Sequence, residues 1–214
     1  MRELLLLGAS GLAREVADAV QHAYRVIGVL DDDAHLHGSR VAGVDVLGGT
    51  RLAAELDADL LVCVGSGSAR RSVVRRLLAL GVGEQRFGTL VDASVHIPGS
   101  CSVGVGSILL AGTVLTTDVT VGKHAVVMPN VTLTHDNVLK DFATVASGVC
   151  LGGGVVLGEA SYLGMNASVR QSVRVGAGAV IGMGSVVLHD VPNDETWAGV
   201  PADALAVARP GGSP

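Results

Sequence analysis

VDASVHIPGSCSVGVGSILLAGTVLTTDVTVGKHAVVMPNVTLTHDNVLKDFATVASGVCLGGGVVLGEASYLGMNASVRQSVRVGAGAVIGMGSVV occupies residues 91–187. Taken in steps of six, it places an aliphatic residue at Val91, Ile97, Val103, Leu109, Leu115, Val121, Val127, Leu133, Leu139, Val145, Leu151, Leu157, Leu163, Val169, Val175, Ile181 and Val187, seventeen in succession without an insertion. Four places after about half of them stands a small residue: Ser107, Thr113, Ala125, Ala143, Ser161, Ala167, Ala179 or Ser185. Neither the 3.6-residue period of a helix nor the alternation of an ordinary strand produces such a register. The pattern predicts a parallel β-helix built of hexapeptide repeats.

Three hexads make one coil of such a prism, so residues 18 apart stack, and seventeen hexads give roughly five to six coils. Neighbouring coils then lie about 4.8 Å apart, the usual strand spacing. The aliphatic residue points inward, the small one packs beside it, and the residues between them lie near the corners. The period places Gly153, within Gly152-Gly153-Gly154, over His135, whose chain neighbour is Asp136. An imidazole beside a carboxylate, with an uncluttered amide one strand away, can act as general base and oxyanion donor in acyl transfer. The carboxylate would fix the imidazole tautomer and raise its basicity. The bland reading of the same residues is a solvated His-Asp pair on a polar corner. No two histidines of the region, among His124, His135 and His189, stack within the chain, so no metal is expected.

The composition agrees with a narrow, repetitive interior. Of 214 residues 49% are apolar but only 2% aromatic, so Val, Leu, Ile and Ala must fill the core. Thirty glycines suit many tight corners. A net charge of −5 gives no electrostatic reason to expect nucleic acid or an anionic membrane. Cys63, Cys101 and Cys150 are odd in number and far apart, which argues for a reducing compartment over a disulfide framework. The apolar run Leu4–Leu7 is too short to span a bilayer, and no cleavage site follows it. A cytoplasmic protein without membrane insertion is expected.

Residues 1–86 read differently from the repeat. Glu3–Leu7 is a buried strand, ending in Gly8-Ala9-Ser10-Gly11. A helix follows with Leu12, Val16, Ala19 and Val20 on one face, then a strand over 26–30 stopped by Asp31-Asp32-Asp33. A β-α-β unit with a glycine turn and a later acidic residue is the Rossmann layout, in which the turn approaches a phosphate and the carboxylate accepts bonds from a ribose or a base edge. Strands at 46–48 and 60–64 and helices near 51–56 and over 68–80 complete about half a doubly wound fold, with a second turn at Gly65-Ser66-Gly67. That size suits a mononucleotide or a nucleotide sugar. The plainer alternative is a tight turn and a solvated acidic loop. The expected division is a Rossmann-like nucleotide-sugar domain over 1–86, the β-helix over 87–192 and a tail over 193–214. Trp197 is expected to cap the open end of the prism or to lie beside a ligand running along it, and Arg209 to Pro214 to fray.

Taken together, these marks resemble the NeuD/PglD family of bacterial sugar acyltransferases over nearly the whole chain. They are Gly8-Ala9-Ser10-Gly11, Asp31-Asp32, Val64-Gly65 leading to Arg70, the uninterrupted hexads, His135-Asp136 and Gly199-Val200-Pro201-Ala202. The resemblance implies a left-handed β-helix and a homotrimer with active sites between adjacent subunits. It implies acetyl-CoA lying along the β-helix and the nucleotide of a nucleotide-linked amino sugar in the N-terminal domain. His135 would be the general base, Asp136 its acidic neighbour, and the Gly153 amide the contact for the thioester carbonyl. Thr144, Gly164 and Met183 would line the acetyl-CoA site with Gly153; Ser10, Gly11, Asp31, Asp32 and Gly65 would line the nucleotide site. The family often has His where this chain has Leu12, a second CoA-facing His where it has Thr144, and Asn where it has Met128. The sugar-facing and CoA-facing details are therefore expected to differ from other members.

The function expected is N-acetylation of a nucleotide-linked amino sugar, at its 4-amino group. O-acetylation of sialic acid or a polysaccharide precursor would use the same base and donor. A γ-carbonic-anhydrase-like metal enzyme and a non-catalytic trimeric scaffold are the readings from other classes.

Overall fold

The computed structural model describes residues 1–20 and 24–205; Arg209 to Pro214 lie outside them. The N-terminal part is a five-stranded sheet. Its strands are β1 (Arg2–Leu7), β2 (Tyr24–Leu30), β3 (Arg40–Val41), β4 (Val44–Gly48) and β5 (Asp59–Val62), in the order β3-β4-β2-β1-β5. All neighbours run parallel except β3 and β4, a hairpin the sequence did not announce. Leu4–Leu7 and Leu60–Val62 are at most 1% exposed, as expected of parallel strands covered on both faces. Helix α1 (Gly11–Ala19) is capped by Ser10, whose hydroxyl accepts from the Ala13 amide; helix α2 (Gly67–Ala79) is capped likewise by Ser66. The segment expected to be helical near 51–56 is a short 3-10 turn over Thr50–Ala54.

Phe87 bridges to Leu60 at the edge of this sheet, and the next strand, Leu90–Val91, already belongs to the prism. There the chain winds through two-residue strands on three faces. The first face runs from Leu90–Val91 through Ile108–Leu109, Val126–Val127, Thr144–Val145, Tyr162–Leu163 and Val180–Ile181 to Thr196–Gly199. The second carries Thr132–Leu133 and Cys150–Leu151, and the third Val138–Leu139 and Val156–Leu157, among five strands each. Partners are 18 residues apart as far as Val187, as in Val121 with Leu139 and Leu133 with Leu151. The inward aliphatic residues from Leu109 to Val187 are at most 4% exposed and form one continuous core. Burial of each contributes roughly 1.5–3 kcal/mol.

From Val103 to Ile181, the third residue after each inward one turns the corner in the left-handed backbone region. Glycine fills this place at Gly106, Gly112, Gly148, Gly154, Gly178 and Gly184; elsewhere it is taken by residues such as Asp118, Asn130, Asp136 and Asn166, with φ between 54° and 62°. Asn and Asp tolerate that region best among residues with a side chain. Ala160, Ser172 and Phe142 (φ 63°) stand outside that class, and His124 (φ 53°) and Phe142 are the two rings among these corners. They stack on each other with ring centres 5.2 Å apart, and Phe87 meets His124 edge-on at 4.9 Å.

The register does not stop at Val187. Val191 bridges to Val175 and Trp197 pairs with Ile181, each 16 residues on, so the last coil has lost two residues at one corner. The expected tail is therefore structured as far as Ala204. Strand Ala202–Ala204 folds back antiparallel on Thr196–Gly199, Ala202 enters the core, and Trp197 packs against it with its indole N–H donated to Glu195. Of the two readings of Trp197, the cap is the one its surroundings support.

Candidate active site

The N-terminal sheet sets its two glycine turns side by side, because β1 and β5 are adjacent parallel strands and both turns leave their carboxyl ends. The helix after β1 leads to β2 on one side, while β5 lies on the other. The crevice between them is where an open α/β sheet holds its ligand. Gly8 has φ +107°, and a methyl group there would stand 3.0 Å from the Cys63 carbonyl oxygen. The Ser10 hydroxyl donates to that same carbonyl at 2.7 Å. Ser10 and Gly11 line a cleft of about 450 Å³ with Arg14 and Arg40. Gly65 lies elsewhere, on the rim shared by a cleft of about 760 Å³ and one of about 220 Å³.

The acidic stop is held by donors of its own chain. Asp31 accepts from the Ala9 amide at 2.7 Å and the Asp33 amide at 2.9 Å, bracing the first turn. Asp32 accepts from the amide and hydroxyl of Thr50, both at 2.8 Å, and from Arg76. Partial burial works against its charge, but the Thr50 bonds and the Arg76 guanidinium outweigh it and hold the carboxyl below its usual range. Both carboxylates thus hold the loop in shape.

The first face of the prism carries this domain. Ile108, Leu110 and Val126 share a core with Leu4, Leu6, Leu12 and Val16. Arg70, completely buried, bolts the two together. Its guanidinium donates to the carbonyls of Val64 and Gly65 on one side, and to those of His124, Phe142 and Ala143 and the Thr144 hydroxyl on the other. Burial lowers its pKa to about 10, so it stays charged at neutral pH. Thr144 in turn donates to the Gly65 carbonyl at 2.9 Å, so its hydroxyl is engaged inside the protein. Thr144, Leu12 and Met128, three positions far apart in sequence, line the 220 Å³ cleft together with Met165 and Tyr162.

His135 and Asp136 stand at the corner between the second and third faces, across the prism from this domain. His135 Nδ1 lies 2.7 Å from Asp136 Oδ2. A proton on Nδ1 directed at the carboxylate leaves Nε2 as the nitrogen with a free lone pair. Both side chains are more than half exposed. The ring covers Gly153, as the 18-residue period requires. A methyl group on Gly153 would stand 2.2 Å from His135 Cε1 and 2.3 Å from Nε2. The Gly154 amide donates to the His135 carbonyl at 2.9 Å, locking the two coils together. Two residues that sequence reasoning passed over hold the facing strand: the Thr134 hydroxyl donates to the Leu151 carbonyl and the Asn137 side-chain amide to the Gly152 carbonyl, both at 2.7 Å. Asn137 was detectable, as a polar residue at a position that is otherwise aliphatic on its corner.

Gly164 and Met183 belong to the corner between the first and second faces. Gly164 is buried and its amide donates to the Ile181 carbonyl, while Met183 is 72% exposed above the exposed Met165. His124 and His135 occupy different corners, and among the described residues no three His, Cys, Asp or Glu side chains gather as a metal site would require. Among them, too, no helix is long and apolar enough to cross a membrane.

Comparison with known proteins is consistent along the chain. Residues 3–77 match the family described as PglD N-terminal domain, and residues 154–189 the family described as bacterial transferase hexapeptide (six repeats). The acetyltransferase domain of PglB from Neisseria gonorrhoeae FA1090, solved with acetyl coenzyme A, is 31% identical, with a TM-score of 0.85 over 95% of this chain and 99% of that one. PerB from Caulobacter crescentus, solved with CoA and GDP-perosamine, is 26% identical, with a TM-score of 0.86 over 95% and 97%. WeeI from Acinetobacter baumannii AYE is 26% identical, with a TM-score of 0.84 over 96% and 100%. No curated protein sequence matches. The shared fold is a Rossmann-like half domain followed by a left-handed parallel β-helix.

Proposed function

Because the chain belongs to the NeuD/PglD family of sugar acyltransferases, we propose that it transfers an acetyl group from acetyl-CoA to the 4-amino group of a nucleotide-linked amino sugar. The observation that carries this reading is the His135 ring, bonded through Nδ1 to Asp136 and lying over the Gly153 amide. PerB, solved with CoA and GDP-perosamine, and the PglB domain, solved with acetyl coenzyme A, supply the substrate classes by analogy.

In this reading residues 1–86 hold the acceptor at the glycine turns of Ser10, Gly11 and Gly65, with Asp31 and Asp32 bracing the loop. The prism that begins at Leu90–Val91 carries out the transfer. The sugar amine attacks the thioester carbon, forming the C–N bond, as His135 Nε2 takes the amine proton. The carbonyl oxygen becomes an oxyanion held by the Gly153 amide. The C–S bond then breaks and the imidazolium returns its proton to the thiolate, giving the amide and free CoA. Asp136 stabilises the imidazolium in between.

The acceptor turns lie on the first face and His135 on the opposite corner, so a single chain does not join them. A homotrimer resolves this: the His135 corner of one protomer faces the N-terminal domain of the next. Thr144 on the first face, with Gly164 and the exposed Met183 at its corner with the second, then line the path along which the acetyl-CoA lies.

The test is free-thiol release from acetyl-CoA against a panel of nucleotide-linked amino sugars and their hydroxyl counterparts. The expected result is turnover with the amines, and a His135→Ala variant whose kcat falls by about two to four orders of magnitude while acetyl-CoA still binds. Undiminished turnover by His135→Ala would overturn the assignment.

A further inference from the structure

Along the corner that bears His135, the interior position is held by Val119, Val155 and Val173, all at most 2% exposed. In the His135 coil the same position is Asn137, fully buried. Its Nδ2 donates to the Gly152 carbonyl at 2.7 Å, while its Oδ1 has no partner among the described residues. A buried amide oxygen without a donor costs stability, and valine would avoid that cost. One feature of the site explains what the polar side chain returns.

The peptide group that Asn137 grips is the one joining Gly152 to Gly153. A trans peptide is planar, and its C=O and N–H point in opposite directions. With the carbonyl drawn inward by Asn137, the Gly153 N–H faces the outer surface of the corner, which the His135 ring covers. The neighbouring amides are already used: Gly152 donates to Val169 and Gly154 to His135, both at 2.9 Å. The Gly153 amide has no acceptor among the described residues. A hydrogen bond received by a peptide carbonyl also polarises the N–H at its other end.

We propose that Asn137 is a positioning residue for acyl transfer, orienting and polarising the Gly153 amide toward the thioester oxygen. This rests on the reading of His135 and Gly153 given above. Asn137 itself touches neither substrate.

A serine at this place in the repeat can make the same bond, although the Ser161 hydroxyl, at the equivalent position of another coil, makes none among the described residues. Ser107, at the matching position of another corner, donates to the Gly122 carbonyl at 2.7 Å, fifteen residues on, as Gly152 is from Asn137. Asn137→Val removes the donor and copies the neighbouring coils; Asn137→Ser restores it. Expected for Asn137→Val are a melting temperature equal to or above that of the parent and a kcat lower by about ten- to a hundredfold. KM for both substrates stays within about twofold, and Asn137→Ser recovers most of the lost kcat. A purely structural role would lower stability and spare kcat. Should valine not pack, Asn137→Ala removes the donor without added bulk and is read in the same way. Undiminished kcat in the variants lacking the donor, or a serine variant as slow as they are, would overturn the proposal. A parent protein that acetylates no nucleotide-linked amino sugar, or a fully active His135→Ala, would instead bring down the reading on which it rests.

Discussion

At Gly153 a single added methyl group would disturb the proposed site. Gly153→Ala would set a carbon 2.2 Å from His135 Cε1, and the exposed ring would swing off the amide it covers. The expected result is a kcat lower by about a hundredfold, because a misplacement near 1 Å is enough for that, with little change in melting temperature. Thiol release and thermal unfolding check the two halves. His124 predicts a pH dependence. Burial, then the nearby Arg70 cation, and more weakly Lys123, lower its pKa to about 4, against the opposing pull of Asp141 and Glu84. Between its ordinary value near ~6.5 and about 4 the unfolded chain takes up a proton that the folded one refuses, so stability falls as pH falls through that window, by roughly 3 kcal/mol in all. His124→Asn, which keeps a residue suited to positive φ, should flatten the fall; urea midpoints at pH 7 and 4.5 measure it. The stacking of His135 and Gly153 was legible in the sequence because it follows from the period alone. The engagement of Asp32 by Thr50 and Arg76 was not, since it depends on how a loop, a short 3-10 turn and helix α2 meet.

Among the elements, α2 joins the two halves. Its first residue, Gly67, would drive a methyl group to 2.3 Å from the Phe142 carbonyl oxygen, so the helix start is pressed directly on the prism. One turn later Arg70 satisfies six acceptors drawn from both sides. Arg70→Met would leave several of these carbonyls buried without donors. A loss of about 3 kcal/mol or more is expected, read from urea unfolding, with the KM for the nucleotide sugar raised because the Gly65 turn loses its anchor. The strands and helices of this region were legible as apolar runs and amphipathic spacing. The 3-10 turn over Thr50–Ala54 and the β3–β4 hairpin were not, because too few residues form them to show a period. The corners were legible only in part: Asn, Asp and Gly mark them, but His124 and Phe142 hold the same backbone shape through tertiary stacking.

For the molecule as a whole, the separation of the acceptor domain from His135 carries a prediction about assembly. Gly65 has open space around its missing side chain, so Gly65→Val should fold normally while obstructing the clefts it borders. Protein with either Gly65→Val or His135→Ala alone is expected to be nearly inactive. Unfolding and refolding the two together should restore turnover, to about a quarter of the parent level or less, since mixed trimers pair an intact turn with an intact base. Thiol release after mixing measures this, and no recovery would mean that each chain completes its own site. The two-part architecture was legible from the change of period between the N-terminal third and the hexads that begin at Val91. The shortened final coil was not, because dropping two residues erases the six-residue spacing that made its predecessors visible. That last coil has one more consequence. A stack of parallel coils ends in a row of unsatisfied backbone groups, a template on which another chain could add its own strands without limit. By reversing direction at Val200-Pro201 and laying Ala202–Ala204 antiparallel over the end, the chain occupies that template itself. The hairpin thus ends the first face with a strand of opposite direction, which breaks the parallel register that a further coil on that face would need.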